Sequence, residues 1–210
     1  MVAAGWKYER RLWRQGYKFV AGLDEVGRGS WVGPIVAAAV IFPPFCHFPK
    51  KLFDSKLLNA PRREELAQLI QKHALAITLG TVDVITINTI GIGKANQKAF
   101  RKAINKLPAR PDFLLVDAFY IRAIKKAKQL PLKKGDQLSA SIAAASIVAK
   151  VYRDKILADL DKEFPEYGFV SNKGYGTKAH RMAIAQNALS SVHRTSFRLE
   201  PYLGSRVDRT

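Results

Sequence analysis

Four carboxylates stand where a folding chain least tolerates charge. Phe19 to Leu23 (FVAGL) is a short apolar run that reads as a buried strand, and it leads directly into Asp24 and Glu25. Phe113 to Val116 (FLLV) is a second such run, and Asp117 follows it. Asp136 precedes a long alanine-rich segment that begins at Ser139. Desolvated acids cost free energy unless a counter-charge sits among them, and strand ends of α/β sheets are where ligands gather. Each acid alone is more often a cap, a turn former or a surface charge. Four of them in these placements argue for a metal site, and hard oxygen donors suit Mg²⁺ or Mn²⁺. Neighbouring strand residues point to opposite faces, so Asp24 and Glu25 share a site only if the strand twists or ends there. Gly27, Gly29 and Gly33-Pro34 supply such a break.

The global charge points to the substrate of such a centre. There are 35 Lys and Arg against 17 Asp and Glu, a net charge of +18, and the commonest polyanion that such a surface attracts is nucleic acid. A membrane surface or a thermophilic habitat is the competing account. Residues 94–135 carry 12 Lys and Arg against two Asp, more than half of the net charge. Carboxylate-held ions on a nucleic-acid-binding surface imply phosphodiester chemistry, in which two ions about 4 Å apart activate water and stabilise the leaving oxygen. The one cysteine, Cys46, excludes an intramolecular disulfide and a Cys-rich zinc centre. No window approaches a membrane span, and the N-terminal residues are too charged for a secretory signal. A cytoplasmic protein without membrane contact is expected.

The elements that must position these acids follow from pattern. Trp6, Trp13 and Tyr17 suit a short amphipathic helix that packs its aromatics on the body. Ile35–Phe42 reads as a central strand, antiparallel to residues 19–24 through the glycine turn. Residues 45–60 form a loop that holds Asp54-Ser55-Lys56. Asn59 and Pro61 open a helix that runs to about residue 77. A strand is expected over 77–84, a turn over 88–93 and a basic helix over 94–107. Residues 121–134 read as a basic connector. One long helix spans 139–164, with Ala143, Ala144, Ala145 and Ala149 allowing close approach to a neighbour. Residues 165–177 read as a loop and 178–189 as a helix. The order implies an α/β fold with a mixed sheet. His180 and His193 are candidates for phosphate contact, with surface positions expected for both.

The motifs DEVGRG, GP, DSK, LLVDA, KGD, SASIAAASIVAKVYRD, NKGYGT and HRTSF occur here in the order found in ribonuclease HII, the bacterial type 2 ribonuclease H. The chain resembles that family over residues 18–198. The resemblance implies a ribonuclease H-like mixed sheet flanked by helices, with a catalytic core over 1–164 and a C-terminal helical extension over 165–210. It implies an endonuclease that cuts the RNA strand of RNA–DNA hybrids and cuts 5′ of single ribonucleotides in duplex DNA. The products would carry 5′-phosphate and 3′-hydroxyl ends.

Carried over by motif, the catalytic metal ligands are Asp24, Glu25, Asp117 and Asp136, with Asp24 bridging two ions. Gly27-Arg28-Gly29 corresponds to the backbone reader of the ribose 2′-hydroxyl, for which glycine gives close main-chain approach; Arg28 is alternatively a plain phosphate contact. Tyr175 corresponds to the tyrosine that stacks on the deoxyribose after the ribonucleotide. Lys56, Lys150, Lys173, Ser139 and Thr177 are expected at phosphates. Arg153 shares a helix face with Lys150 and is either a phosphate contact or an ion-pair partner of Asp154. A monomer is expected. The family often carries a motif that docks on the sliding clamp, but residues 202–210 (YLGSRVDRT) hold no run of glutamine and paired aromatics of that kind. The alternatives are a non-catalytic nucleic-acid binder or another nuclease on the same fold. Retention of all four acids disfavours the first, and the glycine turn with Tyr175 disfavours the second.

Overall fold

The computed structural model describes residues 3–122 and 124–204. Helix α1 (Lys7–Arg14) leads into strands β1 (Val20–Val26) and β2 (Ile35–Ile41). Helix α2 (Ala60–His73), strand β3 (Ala76–Val82), and helices α3 (Val84–Ile90) and α4 (Ile92–Asn105) follow. Then come β4 (Phe113–Asp117), β5 (Gln129–Leu132), the one-turn helix α5 (Gly135–Leu138) and the long helix α6 (Ala140–Glu163). Helices α7 (Phe169–Asn172) and α8 (Lys178–Asn187) follow, and a 3-10 turn at Glu200–Tyr202 comes last among the described elements. The sheet order is β3-β2-β1-β4-β5. The β1–β2 and β2–β3 pairs are antiparallel, and β1–β4 and β4–β5 are parallel. This is the expected α/β architecture with a mixed sheet.

Strand β2 explains why the sheet is sandwiched. All seven of its residues are buried, because IVAAAVI is apolar on both faces and needs a cover on each. Val36, Ala38 and Val40 meet α2 and α6, while Ile35, Ala37, Ala39 and Ile41 meet α4. Two glycines set how closely the covers sit. A Cβ on Gly22 would lie 2.2 Å from the backbone of Ser141 in α6, and one on Gly80 would lie 2.0 Å from the Ala99 carbonyl of α4. Helix α6 therefore rests directly on β1, with alanines at the contact.

The caps follow their residue types. Asn59 accepts from the Arg62 N–H at 3.0 Å and Asp83 from Thr86 at 2.7 Å. Trp6 packs edge-on against Phe42, so the N-terminal aromatics do lie on the body.

Three stretches differ from the sequence expectation. Residues 88–90 belong to α3 rather than to a turn, because Asp83 caps that helix and Ile87 is buried in the α4-side core. The basic connector holds β5, an edge strand whose Pro131 is tolerated because among the described residues one side of it has no partner strand. The loop over 165–177 contains α7. Among the described residues no helix is long and apolar enough to cross a membrane.

Candidate active site

Strand register brings the first two acids together. Leu23 of β1 pairs with Val116 of β4, so the next step sets Asp24 beside Asp117. Side-chain alternation puts both on the α6 side of the sheet: Val26 packs on that side, whereas Ala21, Leu23, Leu114 and Val116 pack on the α4 side. Glu25 starts from the opposite face, because β1 continues through Val26 instead of ending at Asp24. Its carboxylate still feels both Asp24 and Asp117.

Asp136 arrives through a short fixed turn. The Gly135 N–H donates to Asp117 Oδ1 at 2.7 Å. A Cβ at Gly135 would fall 3.2 Å from that oxygen and 2.7 Å from Ile142, so glycine is required for the approach. Asp136 therefore sits on α5, a separate turn from α6, and is buried.

The electrostatics of this end are unsatisfied. Burial, then the charges of Glu25 and Asp117, hold the Asp24 carboxyl well above its ordinary range. Burial, then Asp117, raises Glu25 to about 7, with Arg28 and Lys56 opposing. Burial, then Asp54 and Asp117, raises Asp136 to about 6. Asp117 is also raised, chiefly by burial. Among the described residues, Glu25 Oε2 is buried with no hydrogen-bond partner.

Lys56 is the cation in their midst. Burial opposes its charge, yet Asp54, Asp136, Asp24 and Asp117 together hold its ammonium above the ordinary range. Asp54 is a fifth acid that sequence reasoning passed over. It caps the turn at Ser55–Leu57 through the Lys56 N–H at 3.0 Å, is buried, and its charge raises Asp136. Its only signal was its place two residues before Lys56 in the DSK motif.

The donors fit a hard divalent ion in type: all are carboxylates, one oxygen is orphaned, and their protons are held unusually tightly. Among the described residues no three His, Cys, Asp or Glu side chains are drawn into a ready-made cage. Like charges around a single ammonium have no reason to converge further without an ion.

The glycine turn beside the acids is held from within. Gly27 has φ +90°, and a Cβ there would strike Arg153 Nε at 2.3 Å. Arg153 donates to the carbonyls of Pro34 (3.0 Å), Lys173 (3.2 Å) and Val32 (2.9 Å) and to Ser30 Oγ (2.7 Å). Arg194 donates to the carbonyls of Gly27 (2.7 Å) and Gly33 (3.0 and 2.8 Å). Both side chains are 0% exposed. Arg153 is thus neither a phosphate contact nor the ion-pair partner of Asp154, which instead bonds Lys150 at 2.7 Å. Arg194 lies in the HRTSF motif, but its role was not legible there, since its partners lie more than 160 residues away.

The remaining candidates divide. Tyr175 is 41% exposed and its ring is the nearest neighbour of Gly29, at 3.9 Å from a Cβ placed there. Arg28 lies over the Phe119 ring at 4.5 Å. Thr177 is exposed and caps α8 through the His180 N–H at 3.3 Å. Lys173 passes its carbonyl to Arg153 and leaves its side chain half-exposed. Lys150 is committed to Asp154. Ser139 does not fit a phosphate contact: it is fully buried and donates to Glu9 Oε1 at 2.5 Å, while accepting from the Ile142 N–H as the cap of α6.

His180 and His193 are not surface residues either. Both are buried among Tyr167 and Phe169, with Nε2 atoms 3.1 Å apart. The Ser190 N–H donates to His193 Nδ1, so His193 carries its proton on Nε2 and gives it to His180 Nε2. His180 Nδ1–H then donates to the Tyr175 carbonyl at 2.9 Å.

A five-stranded mixed sheet with acids at the adjoining ends of its parallel central strands is the arrangement of the ribonuclease H-like nucleases. The Ribonuclease HII family model matches residues 21–200. The ribonuclease HII of Geobacter sulfurreducens is 48% identical over 93% of this chain and 89% of its own length. That of Syntrophus aciditrophicus is 45% identical over 92% and 90%. Among solved structures, ribonuclease H2 from Pyrococcus horikoshii superposes with a TM-score of 0.73 at 24% identity, covering 87% of this chain and 98% of that one. Bst-RNase HIII in complex with Mn²⁺ superposes with a TM-score of 0.64 at 21% identity, covering 89% and 69%. The chain belongs to the ribonuclease HII family, and it is an endoribonuclease of the ribonuclease H type.

Proposed function

We propose that the chain hydrolyses the RNA strand of RNA–DNA hybrids and cuts 5′ of single ribonucleotides in duplex DNA, leaving 5′-phosphate and 3′-hydroxyl ends. Asp24, Glu25, Asp117 and Asp136 are the catalytic carboxylates and would hold two Mg²⁺ or Mn²⁺ ions. The observation that carries this reading is four mutually repelling, largely buried carboxylates gathered around Lys56 beside a turn whose Arg28 and Gly29 are exposed. A neighbour of the same fold is solved with Mn²⁺ bound. When bound, such ions supply an activated water and stabilise the leaving oxygen.

The chain's own residues do the rest. The Gly27–Gly29 turn offers main-chain groups to a 2′-hydroxyl, and Arg153 and Arg194 keep it from shifting as the duplex docks. Tyr175 lies against Gly29 with one face open to a sugar lacking that hydroxyl. Lys56 and Lys173 meet phosphates, which set position without reading base sequence. Asp54 adds a negative charge beside Asp136 and Lys56.

The test is a duplex with one embedded ribonucleotide, incubated with Mg²⁺ or Mn²⁺. Asp24→Asn is expected to lose about 4 kcal/mol of transition-state stabilisation, on the order of a thousandfold in rate, while still binding the duplex. Full-rate cutting by that variant would reject the site.

A further inference from the structure

On the α4 side of the sheet, beyond the glycine turn, a groove of about 650 Å³ is lined by Arg28, Lys94, Arg101 and Arg122, with Phe119 and Asn96 between them. No carboxylate lines it. Among the described residues none of the four cations is in a salt bridge, and all four are exposed.

The N-terminus of α4 adds to the positive field. Its cap, Gly91, offers no side-chain acceptor, so among the described residues no side chain caps the first N–H groups of the helix. Gly93 leaves open space there. Asn96 is only 4% exposed and its side-chain oxygen has no partner. That oxygen is an acceptor and cannot bond a phosphate oxygen, so the groove's attraction for an anion rests on the four cations.

The walls are already rigid. Gln97 accepts from the Arg122 N–H at 2.9 Å and donates to the Tyr120 carbonyl at 3.1 Å, pinning the loop after β4 onto α4. Arg28, stacked on Phe119, joins the groove to the turn.

We infer that this groove seats the sugar–phosphate backbone of the uncut strand, with Lys94, Arg101 and Arg122 as its phosphate contacts. This rests on the duplex-cutting activity proposed above. The cut strand is drawn to Lys56 and the acids, of which Asp24 and Asp117 face α6. The groove opens toward α4, on the other side of the turn, where the second backbone of a bound duplex passes. A shaped, unneutralised cationic slot next to a nuclease centre has no structural use in the free protein.

The experiment is the double variant Lys94→Ala/Arg101→Ala, two exposed changes on one helix, assayed with a hybrid duplex from about 50 to 200 mM salt. Each lost phosphate contact flattens the plot of log affinity against log salt by about 0.9, so the double variant loses about 1.8 from the slope. The loss falls on KM rather than kcat. Methylphosphonate linkages in the uncut strand flatten the slope of the wild-type protein by about 2.7, and that of the double variant, which keeps Arg122, by only about 0.9. A wild-type salt slope in the double variant, or sensitivity only to neutral linkages in the cut strand, overturns the inference. The parent reading is judged separately by Asp24→Asn: abolished cleavage with retained binding upholds it even if the groove variants behave as wild type. A wild-type protein that binds no duplex overturns both.

Discussion

Two regions a few residues apart bury charge, and they treat it in opposite ways. At the adjoining ends of β1 and β4, carboxylates crowd one another, one oxygen has no partner, and protons are retained to about pH 7 at Glu25. Behind the glycine turn, Arg153 and Arg194 are buried completely, yet their donors are met by carbonyls and a hydroxyl. The lesson concerns what buried charge is for. A fully bonded guanidinium fixes a shape. An under-bonded carboxylate cluster is a vacancy in the electrostatics that a cation or a proton must fill.

The contrast breaks most visibly by substitution. Arg194→Ala strands the Gly27 and Gly33 carbonyls and opens a cavity, so it is expected to cost about 4 kcal/mol in urea unfolding. A loss under about 1 kcal/mol would mean that the turn holds itself.

Glu25→Gln should act in the opposite direction in metal-free protein. The unfolded chain ionises this group near 4.5 and the folded one at about 7. The folded state therefore binds the extra proton between those values, and wild-type stability falls as pH rises through that window. The total is roughly 3 kcal/mol, from about 1.4 kcal/mol per unit. The glutamine variant should lack that slope, and Mn²⁺ should raise the wild-type Tm more at pH 8 than at pH 6. Equal slopes in the two proteins would sink the idea of a strained acid.

The histidine pair sharpens the comparison with the reverse sign. Burial, then the neighbouring His180, lowers His193 from an ordinary 6.5 to about 4. Its contribution to stability is intact above pH 6.5 and is lost as pH falls from there toward 4. Imidazole NMR shifts should show His193 neutral at pH 5, and a midpoint near 6.5 would break the hydrogen-bond chain to Tyr175.

The smallest effect on stability is expected at Gly29. A Cβ there meets only Tyr175, at 3.9 Å, so Gly29→Ala should fold within about 1 kcal/mol of wild type. It should nevertheless lower cleavage at single ribonucleotides, because the methyl occupies the approach to the sugar. Unchanged cleavage would remove this turn from ribose recognition.

Much of the site was legible because its signals are local. Apolar runs that end in Asp24, Asp117 and the turn at Gly27 announce themselves by periodicity and residue type. Asn59 was readable as a cap for the same reason. Asp54 was passed over because a loop acid beside a lysine has an ordinary explanation, and only the fold brings it to Asp136. Strand β5 was hidden by its lysine-rich flanks and its proline.

The chain's own pattern settled the α/β layering, the acids at strand ends, the cationic balance and the family. These depend on residue type, on spacing within a few positions and on motifs kept in order. Tertiary structure alone decided that Asp24 stands beside Asp117, that Lys56 sits among the acids, and that Arg153 and Arg194 hold the turn and not the substrate. Each of those rests on strand register or on partners up to 167 positions apart, where one step of register turns a side chain to the other face.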